Sequence, residues 1–284
     1  MKIGLVVEGG GMKCAYGAAV LDKFLDDRIC FDYCIGVSAG AANTLSYLAG
    51  QRGRNKRFYT DHISDPMYFG VKPFLKNGNL FNLQYIYGDM TNSDGKDPLD
   101  YEAVMANPAE YELVTTCAET GQPVYFKKED IIKDDYRHVM SSCAIPVACK
   151  PIEIDGIHYY DGGLTDAIPV RHALDQGCDK LVVISSKPRD YVKEPQKFKM
   201  LYSSVCRKYP ETVKSIAKRH KMYQRCQKWM FELEKRGKCF IFGPSEHLKM
   251  STYGMDREAN EKLYQLGLSD YDRRRSEFME FLEG

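Results

Sequence analysis

The chain has 284 residues, enough for one large α/β domain, and its charges nearly balance, with 40 Lys and Arg against 39 Asp and Glu. A net charge of +1 creates no global field for nucleic acid, which we exclude as a partner. Ten cysteines occur without metal-binding spacing or a secretory leader, and no apolar run approaches the roughly 20 residues that cross a bilayer. We therefore expect a cytoplasmic protein with reduced thiols and with no metal or cofactor.

The first part of the chain alternates between short apolar runs and amphipathic stretches. The predicted elements are a strand at 3–7, a helix at 12–25, a strand at 31–35 and a helix at 41–49, which 51–59 continues. Because strands alternate with helices, the pattern predicts a parallel sheet covered by helices, an α/β fold.

The rest of the chain continues the pattern with two hairpin signals. The predicted strands are 112–118, 123–126, 152–154, 157–161, 180–186 and 238–242, and the predicted helices are 130–144, 170–177, 211–235 and one or two within 257–282. Asp155 and Gly156 form a two-residue turn signal between the third and fourth of these strands. Six aromatic residues between 68 and 87 fit either the core or an acyl pocket, and the sequence leaves both open.

A serine turn follows the second predicted strand. The sequence Gly36-Val37-Ser38-Ala39-Gly40 lies between a strand and a helix, as in a nucleophile elbow. Glycine two residues on either side removes side chains that would collide with the strained serine turn. The alternative is a tight glycine turn with an incidental serine.

A serine nucleophile needs a base, and the six histidines are poor candidates. His158 falls opposite Glu153 in the predicted hairpin, so we expect it to pair at the surface. Asp161 continues the inward side of the same strand and precedes Gly162 and Gly163. Partial burial would raise its pKa and make it a better base, although a turn aspartate that bonds its own backbone is the alternative.

The glycine turn after the first strand offers unshielded backbone donors. Attack on an ester leaves an oxyanion, which backbone N–H groups at Gly9, Gly10 and Gly11 would stabilise. A phosphate cradle fits poorly, because Cys14 breaks the dinucleotide pattern and no P-loop motif is present. Lys13 would add positive charge near these donors or remain solvated.

Together, the glycine turn, the serine turn and Asp161-Gly162-Gly163 resemble the patatin-like phospholipase family, in its single-domain bacterial form. The resemblance implies a three-layer α/β/α sandwich with a mainly parallel sheet, and lipid deacylation without a metal. It implies that Ser38 is the nucleophile and Asp161 the proton acceptor. The other implied site residues are Gly9, Gly10, Gly11 and Met12 in the oxyanion hole, Gly36 and Gly40 in the elbow, and Lys13, Gly162 and Gly163 in support. Lys13 replaces the family's usual arginine, and Glu8 its frequent aspartate.

The composition changes after residue 186. Residues 187–228 hold 13 Lys and Arg against three Asp and Glu, so the rest of the chain is acidic. We expect this stretch to contact anionic lipid surfaces at the inner membrane face, with an ordinary solvated helix as the alternative. We predict a catalytic core at 1–190 and a mostly helical region at 191–284 packed on it.

The sequence therefore predicts a peripheral lipid acyl-ester hydrolase of the phospholipase or lysophospholipase type. An acyl-thioesterase or acyltransferase would share the serine turn, and a non-catalytic lipid-binding protein would retain the fold. A serine peptidase would lack its histidine base.

Overall fold

The computed structural model describes residues 1–247 and 254–284, and eight strands form its central sheet. The strands are β1 (Ile3–Val7), β2 (Tyr33–Val37), β3 (Glu110–Cys117), β4 (Pro123–Lys127), β5 (Ile152–Ile154), β6 (Ile157–Asp161), β7 (Lys180–Ile184) and β8 (Cys239–Phe242). Their order is β5-β6-β3-β2-β1-β7-β8, and β4 also pairs with β3. The β8-β7-β1-β2-β3 part is parallel, whereas β4, β6 and β5 add antiparallel pairs at one side.

Helices cover both faces of this sheet. They are α1 (Ala15–Asp26), α2 (Ala39–Leu48), α3 (Arg54–Thr60), α4 (Val71–Asn77), α5 (Tyr101–Ala106), α6 (Arg137–Cys143), α7 (Val170–Asp175), α8 (Lys199–Val205), α9 (Pro210–Lys235) and α10 (Arg257–Glu283). In β1, Leu5 and Val7 join the core beneath α1, α2 and α10, whereas Val6 joins the opposite core beneath α7 and α9. Because alternate strand residues face opposite sides, two cores form and the predicted three-layer α/β/α sandwich is confirmed.

The last helix packs directly on the first. A β-carbon at Gly267 would lie 2.6 Å from the backbone oxygen of Tyr16, so α10 approaches α1 closely. Tyr16 donates a hydrogen bond to Asp270, and Tyr264 donates one to Asp22 at 2.7 Å. The predicted helical C-terminal region is confirmed in α9 and α10. The division at residue 190 stays a prediction, and residues 248–253 of that region lie outside the described residues.

The predicted helix at 130–144 is wrong over its first half, since α6 begins only at Arg137. Asp134 has a positive φ of 59°, and its carboxylate accepts hydrogen bonds from the backbone and hydroxyl of Ser93. A residue at positive φ cannot continue a right-handed helix, and the bonds to distant Ser93 hold Asp134 in place, so α6 begins only after it. The stretch at 51–59 also differs, because Gly53 at φ 77° separates α2 from α3.

Candidate active site

Ser38 occupies a strained turn between β2 and α2. Its φ of 55° and ψ of −133° lie outside the regions that residues with side chains usually adopt. A β-carbon at Gly36 would lie 2.4 Å from Ala41 Cα, and one at Gly40 would lie 2.5 Å from the backbone oxygen of Val7. Only glycine fits at both places, so the two glycines permit the sharp elbow that holds Ser38.

The pairing of β3 places Asp161 next to Ser38. Within β3, residues 112–114 pair with both β2 and β4, and residues 115–116 pair with both β4 and β6. Because a strand has only two edges, β4 occupies one edge of β3, and β2 and β6 lie end to end along the other. Val37 pairs with Val114, and Asp161 pairs with the next residue. The sheet register therefore brings Ser38 and Asp161 together from sequence positions far apart.

The Asp161 carboxyl is almost fully buried, with 2% of the residue exposed. Burial raises the pKa of this carboxyl, while nearby Arg219 and a hydrogen bond from the Ser38 hydroxyl partly counter the shift. The Gly163 N–H donates a second hydrogen bond to Asp161 at 2.7 Å. Asp161 is thus both a turn aspartate that bonds its own backbone and the partner of the serine hydroxyl.

Gly162 and Gly163 fix the path of the chain after Asp161. A β-carbon at Gly162 would lie 2.2 Å from the backbone oxygen of Val114, so this residue lies directly against β3. At Gly163 a β-carbon would lie 2.9 Å from Asp161 Oδ1 and 3.2 Å from Arg219 Nη2. A larger residue at position 163 would therefore displace the carboxyl.

Ser142 supports the elbow from α6. Its hydroxyl donates to the backbone oxygen of Val114 at 2.7 Å and accepts from the Ser38 N–H at 2.8 Å. The Ser38 N–H is therefore occupied by this hydroxyl. Sequence reasoning missed Ser142, because a serine within a helical stretch carries no signal for a contact with a distant strand.

The glycine turn lies against the serine. A β-carbon at Gly9 would come within 2.8 Å of Ser38 Cβ, and Gly11 has a positive φ of 57°. Across residues 1–247 and 254–284, the N–H groups of Gly10 and Gly11 donate to no protein acceptor. Met12 is buried in the 3-10 turn that follows. Free backbone donors beside a serine hydroxyl are the arrangement that an oxyanion requires.

Glu8 anchors the glycine turn to the C-terminal region. Its buried carboxylate accepts from the Ser185 hydroxyl at 2.7 Å and from the Ser186 N–H and the Tyr223 hydroxyl, both at 2.9 Å. It also forms an ion pair with Lys187. No local sequence pattern indicates this network, because its other members follow β7 or lie on α9, far along the chain.

Two cavities of different character meet at Ser38. One, of about 50 Å³, is lined mainly by apolar side chains, including Phe58, Tyr68, Phe81 and Tyr87. The other, of about 260 Å³, contains Asp161 and is lined by five further charged side chains. Those charged residues are Glu8, Lys13, Lys187, Lys193 and Arg219. Three of the six aromatic residues between 68 and 87 thus line an apolar space at the serine.

The histidines lie elsewhere, and none lines either cavity among the residues that the structure describes. His158 contacts Glu119 at 3.0 Å and Glu153 at 3.7 Å, which includes the predicted cross-strand pair. His62 contacts Asp97, and His172 contacts Glu112 while stacking on Tyr125. Over the same described residues, no cluster of His, Cys, Asp and Glu is suited to a metal ion.

Comparison with known families identifies the core. The model of the patatin-like phospholipase family matches residues 5–174, which is more than half of the chain. The chain belongs to the patatin-like phospholipase family. A second model, a domain of unknown function (DUF6363), matches residues 209–283.

Two other proteins are similar to this patatin-like chain. It is 32% identical over 204 residues to the uncharacterized protein YjjU of Escherichia coli K12, covering 70% of this chain and 56% of YjjU. The chain thus spans little more than half the length of that relative. The crystal structure of VipD from Legionella pneumophila is similar with a TM-score of 0.52 at 12% identity, covering 96% of this chain and 66% of VipD. This likeness shows a shared fold.

Proposed function

We propose that the protein is a serine acyl-ester hydrolase that deacylates lipids by means of Ser38 and Asp161. The observation that carries the proposal is that Ser38 and the buried Asp161 carboxyl line one cavity, close enough for the serine hydroxyl to lower the pKa of that carboxyl. A hydroxyl is a weak nucleophile unless a neighbouring base accepts its proton, and a carboxyl with a raised pKa is suited to that role.

In the first half of the reaction, Ser38 Oγ bonds to the ester carbonyl carbon while its proton passes to Asp161. The carbonyl oxygen becomes an oxyanion, and the free N–H groups of the glycine turn stabilise it. The C–O bond to the alcohol then breaks, and the departing alcohol takes the proton from Asp161. An acyl group remains on Ser38.

In the second half, water attacks the acyl carbon and gives a proton to Asp161. When the second tetrahedral intermediate collapses, the bond to Ser38 Oγ breaks and the proton returns to the serine. A carboxylic acid leaves, and the site is restored. The apolar cavity that Phe58 and Tyr68 line on one side of Ser38 is suited to the acyl group.

The test compares wild type with Ser38→Ala and with Ser141→Ala, which alters a buried serine on α6 whose hydroxyl bonds within its own helix. Fatty acids released from a mixed lipid extract and labelling by a fluorophosphonate are measured for each. We expect Ser38→Ala to abolish labelling and to lower release by at least about 10⁴-fold, whereas Ser141→Ala retains labelling. Unlabelled wild type would favour a lipid-binding protein, and turnover of acyl-CoA alone would favour a thioesterase.

We also propose that the basic stretch 187–228 docks on an anionic membrane at its inner face. Around α8, exposed apolar side chains alternate with basic ones: Phe198, Met200 and Leu201 lie among Lys197, Lys199 and Lys208. An apolar groove of about 330 Å³ beside them shares Ile145 and Arg219 with the cavity that contains Asp161. Apolar side chains rimmed by lysine are suited to an anionic lipid surface. No helix among the described residues has the length and apolarity to span a bilayer.

Sedimentation with vesicles tests this docking. We expect binding to phosphatidylglycerol vesicles that salt weakens, and little binding to phosphatidylcholine vesicles. The double variant Phe198→Ala/Met200→Ala should lose binding, and Ile132→Ala, which alters an exposed apolar residue outside 187–228, should retain it. A vesicle affinity that depends on neither lipid charge nor salt concentration would overturn the docking proposal.

A further inference from the structure

The cavity beside Ser38 carries more positive than negative charge. Four cations, Lys13, Lys187, Lys193 and Arg219, line it with two acids, Glu8 and Asp161. Full ionisation therefore leaves an excess of two positive charges around a space of about 260 Å³. Partly buried like charges repel one another, and their desolvation is costly unless a counter-charge is supplied.

The cations differ in how their partners satisfy them. Lys187 forms an ion pair with Glu8, and Arg219 Nε donates to the backbone oxygen of Gly163 at 2.8 Å. Within the described parts of the chain, the ammonium groups of Lys13 and Lys193 have neither an acidic partner nor a hydrogen-bond acceptor. Among the described residues, these two half-buried ammonium groups thus face the cavity with no acid close enough to pair with them, and the Lys193 ammonium lies 5.6 Å from the centre of the Tyr223 ring.

The electrostatics of these lysines favour the binding of an anion. Burial, together with repulsion from Arg219 and Lys187, lowers the pKa of Lys193 to about 7 against the opposing effect of Glu8 and Asp161. Burial and Lys187 also lower the pKa of Lys13. A bound anion would offset both the desolvation and the mutual repulsion.

The position of the cavity identifies which part of an ester it would receive. Ser38 borders both cavities, so an acyl chain in the apolar space leaves the alcohol portion of the ester toward the cations. We propose that Lys13, Lys193 and Arg219 bind a phosphate group on that alcohol portion and select net-anionic acyl esters over zwitterionic and neutral ones. This inference rests on the proposed ester hydrolysis at Ser38.

The tests use three hexanoyl esters with the same acyl group and different alcohols: lysophosphatidylglycerol, lysophosphatidylcholine and monoacylglycerol. A short chain keeps the substrates monomeric, which separates recognition of the headgroup from membrane docking. For wild type we expect kcat/KM to be about tenfold to a hundredfold higher for the anionic ester than for the other two. Monoacylglycerol lacks the phosphate that forms charge-assisted hydrogen bonds, and the choline ammonium of lysophosphatidylcholine is repelled by the cations that line the cavity.

Lys193→Met should lower that preference about tenfold, and Lys13→Met serves as a second variant if Lys193→Met fails to fold. Lys218→Met is the matched control, because Lys218 is exposed on the helix that carries Arg219 and lines neither cavity. It should keep the wild-type preference. Equal rates on all three esters in wild type would overturn the inference while leaving ester hydrolysis intact.

A binding measurement separates the inference from the catalytic proposal. Ser38→Ala should bind the anionic hexanoyl ester at least about tenfold more tightly than the zwitterionic one, even if wild type hydrolyses neither. Equal affinities would overturn the anion site. Inorganic phosphate should compete only weakly; competition as strong as that of the ester would assign the site to free phosphate and overturn selection of the ester.

Discussion

The two walls of the candidate site are built in different ways. The inner wall consists of backbone groups and short side chains at strand ends, and only 6% of Ser38 and 2% of Asp161 is exposed. The outer wall consists of long, partly exposed side chains after β7 and on α9, including Lys193 and Arg219. Rigid strand ends can hold reacting groups within the tolerance that catalysis needs, whereas long side chains can change selectivity without disturbing them.

Glu8 joins the two walls. It directly follows β1 on the inner side and contacts Lys187 and Tyr223 on the outer side. Changes within one wall should therefore affect mainly one property, and changes at Glu8 should affect both.

The largest effect is expected at Asp161, which belongs to the inner wall. Asp161→Asn keeps an acceptor for the Gly163 N–H but cannot take a proton, so kcat should fall about 10²- to 10⁴-fold. Because burial raises the pKa of Asp161 above its unfolded value, the ionised carboxylate lowers stability as pH rises through the folded pKa, and the amide should raise Tm at neutral pH. Ester hydrolysis and thermal unfolding measure the two effects.

Asp166→Asn is the control for this variant. Asp166 is also desolvated, and its carboxyl binds the Tyr125 hydroxyl at 2.8 Å without contacting Ser38. It should retain most activity. Equal losses of kcat in the two variants would show that Asp161 contributes no more to the reaction than a neighbouring buried carboxyl.

The second prediction concerns the junction between the walls. Glu8→Gln leaves Lys187 without its charged partner, and the free energy of unfolding should fall by about 3–5 kcal/mol. Tyr223→Phe removes only one hydrogen bond to the same carboxylate and should cost about 1.5–3 kcal/mol. Urea unfolding measures both. If Glu8→Gln cost less than Tyr223→Phe, the junction would not depend on the charge of Glu8.

The inner wall was largely predictable from the sequence. Glycines around Ser38 and the Asp155-Gly156 turn are local signals, and strand parity put Asp161 on the inward side. The alternation of side chains along a strand does not indicate on which edge of β3 strand β6 pairs. That edge determines whether Asp161 lies close to Ser38. The register of distant strands depends on tertiary packing, which a local pattern does not record.

The outer wall was predictable only as a region of high positive charge. Lys193 lies in a stretch without helix or strand, so no periodicity indicates where its side chain points. Arg219 is one of many basic residues on α9, and only the packing of that helix distinguishes it from exposed Lys218. The helix predicted at 130–144 failed for a related reason, because hydrogen bonds between Asp134 and distant Ser93 outweighed helix propensity.

A smaller effect is expected at Ser142, which supports the inner wall from behind. Ser142→Ala would leave the Ser38 N–H and the Val114 carbonyl without their partner, and should lower stability by about 1–3 kcal/mol. A less constrained elbow should also lower kcat about tenfold. Ser141→Ala is the matched control, since the Ser141 hydroxyl bonds only within its own helix. Equal losses of kcat would assign Ser142 a role in folding alone.

The smallest predicted effect is a pH dependence of the substrate selectivity that the outer wall provides. The pKa of Lys193 is about 7, so its ammonium is present below that pH and is lost as pH rises through it. The ratio of kcat/KM between the lysophosphatidylglycerol and monoacylglycerol hexanoyl esters should therefore fall by up to about tenfold from about pH 6 to about pH 8. A phosphodiester keeps one charge over this range.

The groups that face Lys193 are Glu8, Asp161, Lys187 and Arg219. Titration of Asp161 would change both rates equally and cancel in the ratio, because both esters need the same base. Lys193→Met should remove the pH step, while Lys218→Met should keep it. A step that persists in Lys193→Met would assign the titrating charge to another group, and a constant ratio in wild type would mean that the charge of Lys193 does not contribute to selecting the anionic ester.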